Sequence, residues 1–471
     1  MTNLKKITKI SLLSFGVFSF ASTAATTTVD LGAGTLRSAV EAAAAGDTLV
    51  LQHGDYTLSN DDLVIDKSLT IRAINKSATP RIYFSAGGSI PAIVISGENT
   101  DFIMQGLYYF EGAHVTNNPR FEVEGDVSSV ALLENQFVMI DLEVKKVYDA
   151  DNNTHVLDDL IMVGNTFSNS ETSLYNMGAE NTFIFAGNKL NYVQLRTIDY
   201  GAEYHIIGNH FIHGYYSYSL AISSQQNGSY TRVLGNLFEQ TLHNDYNQTI
   251  SNIRYSFISL NGSGEFKNNI VKQGINRFNP TGTPDSFQTL TINGGTGSFW
   301  DIVNNVFDLE HGALYDDTPT YTGSFDFKSP VSFSNNIVTG MLQSELFTVS
   351  GSTTVQLSTF SNNLCFDNVA SCPEGNGHVT ADPRFVDEVA YQLATGSPAI
   401  DAGVDSNIVR DIDGTIADIG VQGGTFPNEQ FALQREVGEV KPYLYPLFEA
   451  NSSLGNTGEL KVKAIAIARQ R

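Results

Sequence analysis

Between residues 175 and 254 the chain concentrates side chains that bind anions and move protons: Tyr175, Tyr192, Arg196, His213, Tyr215, Tyr218, Arg232, His243 and Arg254. That is an uncommon local supply in a chain with 27 Lys and Arg against 50 Asp and Glu. A guanidinium can neutralise a carboxylate and so acidify the neighbouring C–H bond. A phenol or imidazole can take that proton, and an acid can assist the departing oxygen. This is the chemistry of β-elimination from a uronic acid. In it Arg196 neutralises the carboxylate or protonates the leaving group, Tyr218 or His213 is the base, and Tyr175, Tyr192, Tyr215, Arg232 and Arg254 line the substrate. The competing reading makes the tyrosines half-buried strand residues and His213 a loop residue. A hydrolase with paired carboxylates would draw on Asp158-Asp159 or Asp316-Asp317, adjacent pairs that also suit solvated turns. The sequence contains no HExxH, no Gly-rich phosphate loop, no zinc spacing and no Gly-x-Ser-x-Gly.

The elements that would position such groups are written as a repeat. A strand-like run, then Gly-Asn or Asn-Asn, then one residue and an apolar residue recurs from Gly164-Asn165-Thr166-Phe167 to Asn362-Asn363-Leu364-Cys365, with Glu134-Asn135-Gln136-Phe137 as a weaker early copy. The second residues stand at 135, 165, 188, 209, 236, 269, 305, 336 and 363, in steps of 21 to 36 residues. The shortest steps approach one bare coil of a parallel β-helix; the longer ones need insertions on one side. Asn accepts the left-handed backbone of a turn, and amides stacked in register can bond from coil to coil. Eight steps at a strand spacing of about 4.8 Å make a column of roughly 40 Å. The predicted architecture is all-β: one right-handed parallel β-helix over residues 25–442. A short amphipathic helix, Thr35 to Ala45 with Gly46 as its cap, shields the open apolar end.

Residues 1–24 read as a secretory signal: Lys5, Lys6 and Lys9, a short apolar stretch from Ile10 to Ala21, then small residues at Ser22-Thr23-Ala24. The expected location is periplasmic or extracellular, with no membrane span once the signal is cleaved, and the expected state is a monomer. Residues 443–471 lack the repeat and read as a tail that wraps the outside or moves freely. The formal charge of −23 argues against a nucleic-acid partner, which needs a basic footprint. The two cysteines, Cys365 and Cys372, are close in sequence and suit a local disulfide. Asp411, Asp413 and Asp418 could bind calcium or cap turns.

Three stretches resemble the pectate-lyase-like β-helix superfamily, and within it polysaccharide lyase family 6, the alginate lyase and chondroitinase B group. They are AGDTLVLQHGDY within Leu36 to Tyr56, LRTIDYGAEYHIIGNHFIHG from Leu195 to Gly214, and SPAIDAG…RDIDG…DIGVQ from Ser397 to Gln422. The resemblance implies a lyase in which a Lys is the base, an Arg assists as acid, and calcium commonly neutralises the uronate carboxylate. Arg196 matches the Arg position. The coil before it, Ser173-Leu174-Tyr175-Asn176-Met177, has no Lys, and the acidic calcium cluster is not recognisable. The resulting expectation is a secreted protein that cleaves an acidic polysaccharide such as alginate, with calcium as the candidate cofactor. The alternative is a carbohydrate-binding or adhesive β-helix without catalysis.

Overall fold

The computed structural model describes residues 11–13, 24–428, 443–447 and 463–467, leaving aside 60, 76, 86–90, 112–117, 146, 149–153, 156, 169–172, 198–202, 214–219, 223–229, 241–255, 273–287, 295–296, 310–323, 341–346, 350–357, 369–370, 406–409 and 425–426. Two units are separable: Ala25–Arg435, and a second formed by Met1–Ala24 with Glu436–Arg471.

The larger unit is a right-handed parallel β-helix. Each rung contributes one strand to each of three parallel sheets of 13, 12 and 11 strands, here called first, second and third. The first runs from Thr26–Val29 to Thr359–Ser361, the second from Gly54–Leu58 to Leu364–Phe366, and the third from Leu63–Ile65 to Phe347–Val349. Alternate residues face inward and form one apolar cluster along the solenoid. Within it, phenylalanines stack rung on rung, with ring centroids 5.2 Å apart for Phe137 and Phe167 and 4.7 Å for Phe211 and Phe238.

The nine asparagines lie at one corner, where the first sheet turns into the second. In all but the last, Asn363, the amide Nδ2 donates to the Oδ1 of the next rung at 2.9 to 3.2 Å. The same Nδ2 also donates to a strand carbonyl, as Asn209 does to Phe185 O at 2.8 Å. Each Oδ1 in turn accepts the backbone N–H of the Asn before it, so these buried polar groups are satisfied within the ladder. The left-handed residue is the first of each pair. Gly164, Gly187, Gly208, Gly235, Asn268, Asn304, Asn335 and Asn362 take φ between 51° and 67°. In chain order the long steps hold 241–255, 273–287 and 310–323, each between a strand of the second sheet and one of the third.

The opening helix is shorter than its sequence suggests, Thr35–Ala42, with Leu36 and Val40 buried in the main cluster. It stops early because Asp47 reaches back to accept the Ala44 N–H at 2.9 Å, and Ala43 is already extended. At the other end, residues 381–405 and 410–424 form a strap along the outside of the second sheet. Ile270, Val306, Ile337 and Leu364, which point outward from that sheet, pack with Tyr391, Ala399, Ile419 and Val421 in a separate apolar cluster. The strap is held by the turn asparagines: Asn268 donates to Gly423 O at 2.9 Å and Asn304 to Asp418 O at 2.8 Å. The structure joins Cys365 and Cys372 in a disulfide, with Cα atoms 5.7 Å apart.

The smaller unit carries three strands, Ser11–Leu13 parallel to Lys463–Ile467, which in turn pairs antiparallel with Tyr443–Leu447. The stretch read as a tail therefore contains a strand pair of its own.

Candidate functional site

The Arg196 rung lies on the third sheet. In Gln194–Thr197, Leu195 enters the core, so Gln194 and Arg196 face out. The Arg196 guanidinium carbon lies 5.6 Å from the centroid of the Tyr175 ring one rung earlier, and its Nε donates to Gln194 Oε1 at 3.1 Å. A guanidinium over a ring face is attracted by the ring quadrupole and held flat, leaving its remaining donors for a ligand. Among the described residues no carboxylate pairs with it. The residue beside it on the next rung is Ala221, whose small side chain leaves room above the guanidinium. Tyr175, on the strand Ser173–Met177, is 41% exposed and Tyr192 38%, so each keeps part of its ring at the surface. Tyr192 stands at the turn into the Arg196 strand, in left-handed backbone with φ 62°.

Two and three rungs earlier the same face is ion-paired. Glu122 points outward yet is 3% exposed, clamped by Arg120 at 2.6 Å and Lys145 at 2.5 Å; Lys145 also reaches Glu124 at 2.9 Å. Burial works against the Lys145 charge, but the hydrogen bonds to Glu122 and Glu124 outweigh it and hold the ammonium above its ordinary range. Lys145 is therefore no base at neutral pH. Glu143 accepts from Asn176 Nδ2 at 2.8 Å.

Arg232 goes elsewhere. It projects from the first sheet in one straight column, paired rung to rung as His205, Arg232, Glu265, Asp301 and Ser332. Its Nε is 3.2 Å from Glu265 and its guanidinium carbon 5.0 Å from the Tyr230 ring. Burial, then the Glu265 and Asp301 carboxylates, push the Tyr230 phenol well above its ordinary range. Arg232 is thus an ion-ladder residue on another sheet, and the fold does not bring it to Arg196. His213 ends the strand His210–His213 of the second sheet, not a loop, and its side chain lies outside the described residues. Tyr215, Tyr218, His243, Arg254 and Asp316-Asp317 also lie outside them.

Of the other carboxylates, Asp159 opens a strand of the first sheet; burial, then the charges of Asp158 and Asp101, raise it against hydrogen bonds from Thr182. Asp411 accepts from Gly424 N at 2.6 Å and Asp418 N at 3.0 Å, while Asp413 accepts from Thr415 N at 3.0 Å and Asp418 from Asp401 N at 2.8 Å. These acids cap turns of the strap. No three His, Cys, Asp or Glu among the described residues form a metal-ligand group, and the acids near Arg196 are already engaged by Lys145, Arg120 and Asn176. The described residues do not fit a calcium site.

No protein-family model matches the chain, and no curated protein does. Similar solved structures include pectate lyase Pel9A, 13% identical, with a TM-score of 0.31, covering 84% of this chain and 96% of that one. A PL6 alginate lyase in complex with a trisaccharide is 12% identical, with a TM-score of 0.31 over 76% of this chain and 83% of that one. An alginate lyase from Paenibacillus sp. str. FPU-7 is 15% identical, with a TM-score of 0.24 over 76% and 99%. The fold itself, three parallel sheets stacked rung on rung, is a parallel β-helix. Among the described residues no helix is long and apolar enough to cross a membrane.

Proposed function

We propose that this is an exported protein that binds a uronate-containing polysaccharide on its third sheet and cleaves it by β-elimination. The observation that carries the reading is the Arg196 guanidinium: exposed, over the Tyr175 ring, beside Ala221 on the next rung, and without a carboxylate partner among the described residues of an acidic chain. A uronate carboxylate is its natural two-point ligand. Pairing withdraws charge from the carboxylate, so the C5 proton becomes removable. A base then takes that proton, the C4–O bond breaks, and an unsaturated uronate end remains. Tyr175 is the phenol already beside the guanidinium; His213 and Tyr218 are the other proposed bases. Alginate is the first substrate to test, on the sequence resemblance around Arg196.

The test is absorbance of the unsaturated product after incubation with alginate, pectate and chondroitin, each with and without calcium. The wild-type chain should produce it from at least one polymer, and Arg196→Ala should lose about a hundredfold or more, the scale of removing one donor that stabilises developing negative charge. One observation favours a second reading, binding without catalysis: the one Lys among the described residues of the preceding rungs on this face, Lys145, is locked as an ammonium between two glutamates. Retention on a uronate polymer with no product from any of the three would establish that reading instead.

A further inference from the structure

The third sheet carries an irregularity on the rung beside Arg196. In Asp141–Lys145 the inward residues Leu142 and Val144 stand two apart, and in Gln194–Thr197 so do Leu195 and Thr197. In Ser173–Met177, between them, the inward residues Leu174 and Met177 stand three apart. The pairing slips accordingly: Leu174 faces Leu195 while Met177 faces Thr197, the single register shift among the described strand pairs of this sheet. One residue has been inserted, a β-bulge, so two exposed side chains, Tyr175 and Asn176, oppose the one exposed Arg196. Asn176 takes φ 51° in mid-strand, a backbone unfavourable for most L residues and better tolerated by Asn. The core does not call for it, since the rungs on either side fill the same apolar cluster with regular alternation. The side chain of Asn176 is oriented as well: Nδ2 donates to Glu143 Oε1 at 2.8 Å. A carboxylate only accepts, so the donor end of the amide must face Glu143, and Oδ1, an acceptor, is the end left for a ligand.

We infer that Asn176 is a specificity residue of the Arg196 site. Its Oδ1 accepts a ring hydroxyl of the uronate whose carboxylate pairs with Arg196, and Glu143 is the positioning residue that keeps the amide turned that way. The inference rests on the uronate reading of Arg196 given above. On a pyranose uronate the C2 and C3 hydroxyls lie across the ring from the C5 carboxylate. That separation is comparable with the strand spacing of about 4.8 Å between the bulge and Arg196, so one sugar meets both groups. Glu143 lies on the rung beyond Tyr175, which puts its charge two strand spacings from Arg196, on the hydroxyl side of the sugar. The two contacts select different features. Arg196 donates, so it selects an acid. Asn176 accepts, so it selects a free hydroxyl. The ligand is therefore a uronate unsubstituted on its ring hydroxyls. An O-acetylated residue has no proton to give and leaves Oδ1 without its bond, which a site built for that bond penalises.

The experiment measures a preference with the full chain: kcat/KM for alginate or polygalacturonate freed of acetyl groups, divided by kcat/KM for the same polymer chemically O-acetylated. Calorimetric Kd values for the two forms give the same ratio if no product appears. The wild-type chain should prefer the free polymer about tenfold, the scale of one hydrogen bond. Asn176→Gly keeps the left-handed backbone accessible and removes the amide, so its preference should fall to within about twofold. Glu143→Gln should lower the preference too, because a Gln side chain accepts or donates and no longer dictates which end of the amide faces the sugar. A purely structural role for residue 143 would leave that ratio alone. Circular dichroism of each variant shows whether the solenoid is intact, and Glu143→Gln, a near-isosteric surface change, remains informative if Asn176→Gly destabilises the strand. The inference is overturned if the wild-type chain handles both polymers alike, or if Asn176→Gly keeps the full preference, which would then be steric exclusion elsewhere in the site. In either case the β-elimination reading stands as long as product forms and Arg196→Ala loses it. If no product forms but Kd shows the preference and its loss in Asn176→Gly, elimination falls and the inference holds. If neither polymer is bound or cleaved, both fall.

Discussion

The asparagine is the unit that makes the column specific. Asn236 accepts the Asn209 N–H at 2.8 Å and the Asn209 Nδ2 at 2.9 Å, and donates to Ile206 O at 2.8 Å and Asn269 Oδ1 at 3.0 Å. Replacing it by Ala strands donors and acceptors in a site of 0% exposure. With a cost of about 1–3 kcal/mol for each buried group left without a partner, Asn236→Ala should lower stability by roughly 3 kcal/mol or more, read as a lower urea midpoint. The opposite experiment lies at Glu134, which holds φ 56° at the ladder's first rung, where later rungs have Gly or Asn. A left-handed backbone costs most L residues about 1–2 kcal/mol, so Glu134→Gly should raise the midpoint by about 1 kcal/mol in stability. At this scale the sequence was readable because the ladder needs the same residue type at the same place on every rung. The sheet carrying Arg232 is legible from the same spacing: Ile161, Ile184, His205, Arg232 and Glu265 each stand four residues before a ladder Asn, and all face out from the first sheet. Arg196 stands thirteen before Asn209, which places it on another face.

The strap is the element whose attachment explains why Gly-Asn becomes Asn-Asn from 268 onward. Gly suffices for the left-handed turn where nothing docks; Asn adds an amide that reaches strap carbonyls. The outward residue following the ladder Asn changes one rung ahead of it, from Lys189 and His210 to Leu237, Ile270, Val306, Ile337 and Leu364. Both signals stood in the sequence, but only the fold shows what they face. Asn304→Gly keeps the turn and the ladder while removing bonds to Asp418 O and Gly420 O, so amide exchange in 391–424 should accelerate several-fold while the core strands stay protected. The strap also responds to pH. Burial, with the neighbouring Asp418 and Asp413 charges, pushes Asp411 from 3.8 up to about 6. A carboxyl raised in the folded state binds its proton more tightly there, so its contribution is full below its unfolded value of 3.8 and is lost as pH rises through about 6. Exchange in the strap should therefore be slower at pH 5 than at pH 7.5, and the difference should shrink in Asp411→Asn.

Along the whole solenoid, stability is close to a sum of rung-on-rung terms, so opening begins where a rung has a neighbour on one side only. The ladder's last amide shows what closes that end: the Asn363 N–H, having no further asparagine, donates to His378 Nδ1 at 3.1 Å. Rungs and their order could be read from the repeat, but a histidine fifteen residues past the final Asn carries no repeat signature, because it substitutes for the acceptor and not for the motif. The substitution has a consequence that asparagine would not. Nδ1 accepts only while it carries no proton, and burial, opposed by the bond to Asn363, holds the imidazole below its ordinary 6.5. A base depressed in the folded state leaves the unfolded chain as the better proton acceptor, so stability at this end falls as pH drops below about 6.5. That is the reverse of the strap. Amide exchange, normalised to the intrinsic rate at each pH, should accelerate first at Thr359–Ser361 and Leu364–Phe366 as pH drops from 7.5 to 5 and stay unchanged in the middle rungs. His378→Asn should abolish the acceleration, since an amide oxygen accepts the same N–H at either pH. Uniform acceleration along all rungs would mean that the end cap does not set where the column opens.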